Sequence, residues 1–270
     1  VTPEDTLPAE LDALPPAGAA RPSAAPTSVV EVDGLRFAWP RSGTVVLDVP
    51  HLRLEAGRTV FLHGPSGTGK STLLGVLAGV LVPQAGDCRV LGQRWSALAG
   101  ARRDAFRADH VGVLFQQFNL LPYLSVIDNV LLPCRFSMRR AQRAAASGGA
   151  GGSNARDAVR RCAESLLKQM GLARADWTRP AVELSVGQQQ RVAAARALIG
   201  GPELVLADEP TSALDAARRE QFMDLLLGQC RAAGSTLVFV SHDERLAGRF
   251  DQRLALGEVN RAGSADGAER

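Results

Sequence analysis

The chain has 270 residues, 46% of them apolar and 22% charged, with 31 Lys plus Arg against 28 Asp plus Glu and a formal net charge of +3. That apolar share excludes wholesale disorder, and so mild a positive balance lacks the concentrated basic character of a nucleic-acid binder. The longest apolar stretch, Leu73 to Val82, is too short for a bilayer, which takes roughly 17 residues or more. No basic segment followed by an apolar core opens the chain, so no signal peptide is expected. Cys88, Cys134, Cys162 and Cys230 are far apart with no CxxC pair, which favours reduced thiols over a disulfide or metal framework.

Residues 1–27 are rich in Pro and Ala, contain no aromatic residue and are expected to form a disordered arm. Order is expected from about Val29, where VVEVDGLRFAW reads as a strand, followed by strands at Val45 to Val49 and Thr59 to Leu62. A Gly-rich turn then leads into a helix over Lys70 to Val80. Further strands are predicted at Cys88 to Leu91, Val111 to Phe115, Leu204 to Ala207, Thr236 to Val240 and Arg253 to Leu256. Helices are predicted at Asp157 to Met170, Gly187 to Ile199 and Ala216 to Ala232. Strands alternating with helices imply an α/β layered fold with a largely parallel sheet. The region 117–186 lacks strand signals and reads as a helical insert within a domain of 28–260. Inside it, SGGAGGS (Ser147 to Ser153), flanked by Arg-rich segments, reads as a flexible loop: a solvated excursion or a contact with anionic lipid or a partner. Residues 261–270 are expected to be a disordered tail, and no internal repeat is visible.

The strongest local signal is GPSGTGKS, Gly64 to Ser71, a GxxxxGK[ST] pattern between a predicted strand and a predicted helix. Successive backbone N–H groups in such a loop cradle phosphate, and the helix N-terminus adds a favourable dipole. Gly residues let the backbone close around the ligand. Lys70, one of only two lysines in the chain, offers a compact charge for the β- and γ-phosphates, and the Ser71 hydroxyl suits Mg²⁺. The pattern points to nucleoside-triphosphate binding by Gly64, Pro65, Ser66, Gly67, Thr68, Gly69, Lys70, Ser71 and Thr72.

LVLADEP, Leu204 to Pro210, is an apolar strand ending in two acids. Asp208 is suited to support the Mg²⁺ shell, and Glu209 to act as general base on water; two acids capping a turn is the bland alternative. LSVGQQQRVAAARAL, Leu184 to Leu198, starts a helix at Ser185 and Gly187, where hydroxyl and N–H groups suit phosphate, although a capped amphipathic helix reads the same way.

P-loop, LSxGQ and DEP in this order resemble the nucleotide-binding subunit of an ATP-binding-cassette (ABC) transporter, over residues 29–260. The resemblance implies a P-loop NTPase core with a largely parallel sheet, an antiparallel β subdomain and an inserted α-helical subdomain. It implies a head-to-tail homodimer hydrolysing ATP with Mg²⁺. In such a dimer Ser185, Gly187, Gln188 and Asp215 serve the partner's ATP, while Lys70, Ser71, Asp208 and Glu209 serve their own. It also implies that Gln116 touches Mg²⁺ and water (Gln117 being the competing choice), that His242 contacts the γ-phosphate and that Trp39 stacks on adenine. Val186 departs from the commoner Gly of the signature, and its side chain is expected to point away from phosphate.

FQQFNLLPYLSVIDNVLLP, Phe115 to Pro133, is similar to the lipoprotein-release and macrolide-export branch. That similarity implies a partner permease with a large extracytoplasmic domain and a peripheral position on the cytoplasmic face of the inner membrane. A generic importer ATPase is the alternative subtype. A role on nucleic acid is not expected, since the stretch between Lys70 and Asp208 holds neither heptads nor CxxC. Phe118, Leu120, Leu121 and Tyr123, clustered after Gln116, mark an interaction surface or else pack inside the helical insert; the resemblance implies the former, a groove that receives a coupling helix of the permease.

Overall fold

A computed structural model describes residues 28–40, 43–149, 154–212 and 214–263. The expected arm at 1–27, the centre of the Gly-rich loop at 150–153 and the end of the tail at 264–270 lie outside the described residues. The described chain forms two compact units, one of 28–118 with 203–263 and the other of 119–202.

In the first unit an antiparallel sheet has the order β2-β1-β4-β5, from β1 (Ser28–Ala38), β2 (Val45–Glu55), β4 (Ala85–Val90) and β5 (Gln93–Arg94). Strand β2 runs six residues past its expected end at Val49. Two features hid the extension: Pro50 interrupts the apolar run, and the buried set shifts from Leu47 and Val49 to Leu52 and Leu54. A proline is tolerated because β2 is the sheet's edge strand.

The parallel sheet has the order β6-β7-β8-β3-β9, from β3 (Thr59–His63), β6 (Val111–Leu114), β7 (Leu204–Asp208), β8 (Thr236–Val240) and β9 (Gln252–Ala255). Every neighbouring pair is parallel. Its central strands TVFLH, LVLAD and TLVFV are buried almost throughout, as expected of a sheet covered on both faces. Helices α1 (Lys70–Leu77), α2 (Gly100–His110) and α7 (Ala216–Ala233) belong to this unit. Helix α2 was not legible in the sequence. It has no side-chain N-cap and no fully buried residue, and Phe106 alone brings it edge-on to the buried Trp95, 5.4 Å between ring centroids.

The second unit holds α3 (Val126–Phe136), α4 (Met138–Ser147), α5 (Ala155–Gln169) and α6 (Val186–Leu198). Each starts on a side-chain cap: Ser125, Ser137, Asn154 and Ser185 accept from a backbone N–H three residues on. The unit runs to Pro202 rather than ending near 186, because α4 binds the far end of α6. The buried Arg140 donates to the carbonyls of Ala197 (2.6 Å) and Ile199 (2.8 Å), and Arg143 donates to that of Gly201 (2.9 Å). The carbonyls of Ala197 and Ile199 belong to the helix end, where intrahelical partners are missing.

Residues 261–263, expected in the disordered tail, form a helical turn after α8 (Leu256–Val259). The Ala262 N–H donates to Asn260 Oδ1, which anchors the turn. All four cysteines are free and buried, and burial foremost pushes the thiols of Cys88, Cys134 and Cys230 up to about 12.

Candidate nucleotide site

Parallel strands deliver their following loops to one edge of a sheet, the usual place for a ligand in an α/β layer. Here β3 delivers Gly64, β6 is followed by Gln116, β7 ends on Asp208, and β8 is followed by His242. Gly64, Gly67 and Gly69 take φ of 156°, 80° and 98°. At Gly69 a Cβ would lie 3.0 Å from Val46 Cγ1 and 3.1 Å from the Val46 carbonyl oxygen, a tight fit against β2 on top of a φ of 98° that strains any side chain. Lys70 is buried, and its ammonium donates to the carbonyls of Gly64 (2.8 Å) and Pro65 (2.7 Å), inside the curve of the loop. The Thr68 hydroxyl closes the same turn on the Pro65 carbonyl at 2.8 Å. Helix α1 begins with no side-chain cap and no acidic residue in its first turn, which leaves its N–H groups and positive end for an anion. Thr72 is buried in that turn.

The Asp208 carboxylate faces the Ser71 hydroxyl at the start of α1. Burial first and the Glu209 carboxylate second push its own carboxyl up, while Ser71 and Lys70 pull it down. A hydroxyl and a carboxylate side by side are the hard oxygen donors that Mg²⁺ would take, with its remaining positions left for water and phosphate. Among the described residues no group of three or more His, Cys, Asp or Glu could hold a metal alone.

Glu209 has a φ of 43°, a conformation costly for a residue with a Cβ. Its N–H donates to the Val240 carbonyl at 3.1 Å and its carbonyl accepts from the Ser212 N–H at 3.2 Å, so the backbone is gripped on both sides. The carboxylate stands 3.4 Å from His242 Nδ1. Both line a cavity of about 340 Å³ together with Thr211, Ser241 and Asp243, and His242 also lines a second cavity of about 490 Å³ with Gly64, Pro65 and Ser66. The two acids of DEP are therefore not turn caps: one meets Ser71 and the other faces the cavity.

Gln116 and Gln117 are both exposed, two and three residues beyond β6, which pairs with β7 up to Leu114 opposite Ala207. Trp39 is 44% exposed just beyond β1 and meets Phe37 edge-on at 5.2 Å; Phe37 is buried in the sheet core. Asp215 caps α7 by accepting from the Arg218 N–H at 2.9 Å. In the helical unit Ser185 and Gln188 form a reciprocal capping box, and the Gln188 amide also donates to Asp176 at 3.0 Å. Gly187 lies in that first turn, while Val186 is half exposed. The apolar cluster after Gln116 divides. Phe118 is buried, at 8% exposure, Leu120 and Leu121 are half-buried, and Tyr123 is 74% exposed.

Three residues beside these were not singled out from sequence. Arg219 donates to the Asp243 carboxylate at 2.5 Å and to the Leu214 carbonyl at 3.0 Å, joining the segment before Asp215 to the one after His242. Arg245 above all, with Arg219, holds the Asp243 carboxyl down at about 2. Asn129, wholly buried, accepts from the Leu121 N–H and donates to the carbonyls of Leu121, Leu124 and Ser125, which fixes the loop carrying Tyr123. No short motif announces Arg219 or Asn129, because the first works through a carboxylate 24 residues away and the second through backbone.

A parallel sheet with a glycine-rich loop at its edge, a lysine folded into that loop and an Asp–Ser pair beside it define a P-loop nucleoside triphosphatase. The ABC transporter family profile matches residues 47–212, and the chain belongs to that family. It is similar to the lipoprotein-releasing system ATP-binding protein LolD of Anaeromyxobacter dehalogenans, 41% identical over 254 residues, 93% of this chain and 98% of that protein. It is also similar to the macrolide export ATP-binding/permease protein MacB of Chromobacterium violaceum, 38% identical over 245 residues. That match covers 89% of this chain but 35% of the relative, so the chain spans about a third of its length. A dimeric post-hydrolysis structure of the ATP-binding cassette MJ0796, bound to ADP and Pi, matches with a TM-score of 0.70 and 31% identity, over 84% of this chain and 93% of that one.

Proposed function

We propose that the protein is the ATP-hydrolysing subunit of a membrane ABC transporter of the lipoprotein-release and macrolide-export branch. Lys70 and the loop N–H groups of residues 64–72 bind the triphosphate, and Trp39 stacks on the base. Ser71, Asp208 and Gln116 hold Mg²⁺, whose charge offsets that of the phosphates. Glu209 takes the proton of the attacking water, and His242, 3.4 Å away, orients the γ-phosphate and the base together. Two subunits pair head to tail, each bringing Ser185, Gly187, Gln188 and Asp215 to the other's ATP. The names of the relatives and the dimeric cassette support this arrangement. The dimer drives a permease with a large extracytoplasmic domain from the cytoplasmic face of the inner membrane. In this reading it is a peripheral subunit; no helix among the described residues is long and apolar enough to cross a bilayer.

The observation that carries the reading is the meeting of Lys70, the Ser71–Asp208 pair, Glu209 and His242 at one sheet edge. The test is phosphate release from Mg²⁺–ATP by the purified chain, beside Lys70→Ala. Release that needs Mg²⁺ and is lost in the variant supports the reading, and release indifferent to Lys70 refutes it.

A further inference from the structure

We propose that Asn260 is a positioning residue of the phosphate loop, acting through the peptide between Thr68 and Gly69. It lies just beyond α8, only 7% exposed, and belongs to none of the motifs read from the sequence. Its carboxamide is used at both ends. Oδ1 accepts from the N–H groups of Asp48 (2.8 Å) and Ala262 (3.3 Å), and Nδ2 donates to the carbonyls of Val46 (3.0 Å) and Thr68 (3.3 Å). Two N–H donors face one end and two carbonyls the other, so the orientation of the amide follows from its partners. Aspartate matches the shape but cannot donate.

The contact to Thr68 matters because of what lies across that peptide bond. The bond is trans, so the Thr68 carbonyl and the Gly69 N–H point in opposite directions. Holding the carbonyl against β2 turns the Gly69 N–H away from β2. That is the orientation a phosphate cradle needs of an N–H immediately before Lys70. The loop also lies close on the same strand, since a Cβ at Gly69 would crowd Val46 at 3.0–3.1 Å. Asn260 donates to the same Val46 from its Nδ2, so one amide fastens strand and loop together. Strand β2 also pairs with β1 as far as Ala38, the residue before Trp39. Asn260 therefore sets the phosphate loop relative to the sheet that carries the base-stacking Trp39.

The inference rests on the reading of this loop as the ATP site, and the test separates the two. ATP and ADP affinities are measured by equilibrium dialysis at 25 °C for the wild-type chain, Asn260→Asp and Asn260→Ala, with thermal unfolding alongside. Asn260→Asp keeps both accepted bonds and loses both donated ones; Asn260→Ala loses all four and adds no charge. Both variants are expected to bind ATP about 3- to 10-fold more weakly, the span of roughly one net hydrogen bond. The loss in the uncharged variant shows that repulsion by a new carboxylate is not its cause. Wild-type affinity in either folded variant, or a loss confined to Asn260→Asp, overturns the inference. If Asn260→Ala does not fold, Asn260→Gln replaces it as the uncharged variant under the same criterion, its longer arm displacing the donors. A wild-type chain that binds no ATP refutes the function itself and leaves a different signature from any of these.

Discussion

Replacing Glu209 by Gln keeps the side chain's length and its hydrogen-bonding reach while removing its ability to take a proton. The backbone at this position is held independently of the side chain, by the Val240 carbonyl on one side and the Ser212 N–H on the other, so the amide should occupy the carboxylate's place. Loss of a general base costs roughly 10²- to 10⁴-fold in rate, which is about 2.7–5.4 kcal/mol of barrier. Binding should survive, because the contacts of Lys70 to Gly64 and Pro65 and of Ser71 to Asp208 do not involve Glu209. The change also removes a negative neighbour that helps push the Asp208 carboxyl up, so Asp208 should be ionised at least as readily as before. The assay is phosphate release with Mg²⁺–ATP, with equilibrium ATP binding and size-exclusion chromatography on the same preparation. The expected result is normal ATP affinity, turnover reduced by at least about 100-fold, and a nucleotide-bound dimer that accumulates. Turnover within about threefold of wild type would remove Glu209 from the base role. A loss of binding like that of Lys70→Ala would instead mean that the carboxylate holds the loop.

Gly69→Ala should weaken ATP binding in a protein that still folds, since the new methyl crowds Val46 and is strained at a φ of 98°; an affinity within about threefold of wild type, by the same dialysis, contradicts the close fit. Mixing Ser185→Arg subunits with Lys70→Ala subunits should restore part of the turnover missing from each alone, because one composite site in the mixed dimer keeps an intact loop and an intact signature. No gain on mixing counts against the trans arrangement. Tyr123→Asp should leave stability unchanged, as expected for a side chain 74% exposed, and should weaken co-purification with the permease; unchanged co-purification and coupling would move the docking surface elsewhere.

Legibility in the sequence followed the physical range of each signal. The central parallel strands were readable because a strand buried on both faces must be apolar along its length, as in Thr236 to Val240, where the expected and observed limits coincide. The second half of β2 is hidden in the sequence because Pro50 and the change of buried phase break alternation, a pattern that only an edge position makes acceptable. The P-loop and DEP announced themselves because their chemistry is local: consecutive N–H groups, one lysine, two adjacent acids. What escaped was non-local. Composition around Phe118 to Tyr123 suggested one apolar patch, yet Phe118 is buried and Tyr123 is not. The difference lies partly in consecutive positive φ at Phe118 and Asn119 and in Asn129, eight residues beyond Leu121, which ties the turn by four hydrogen bonds. Asn260 is more distant still, 192 residues from the loop it touches. The residues that define the reaction's chemistry thus sit within short segments, whereas those that set loop angles are supplied from across the fold. A substitution at the second kind should alter nucleotide affinity while every motif stays intact.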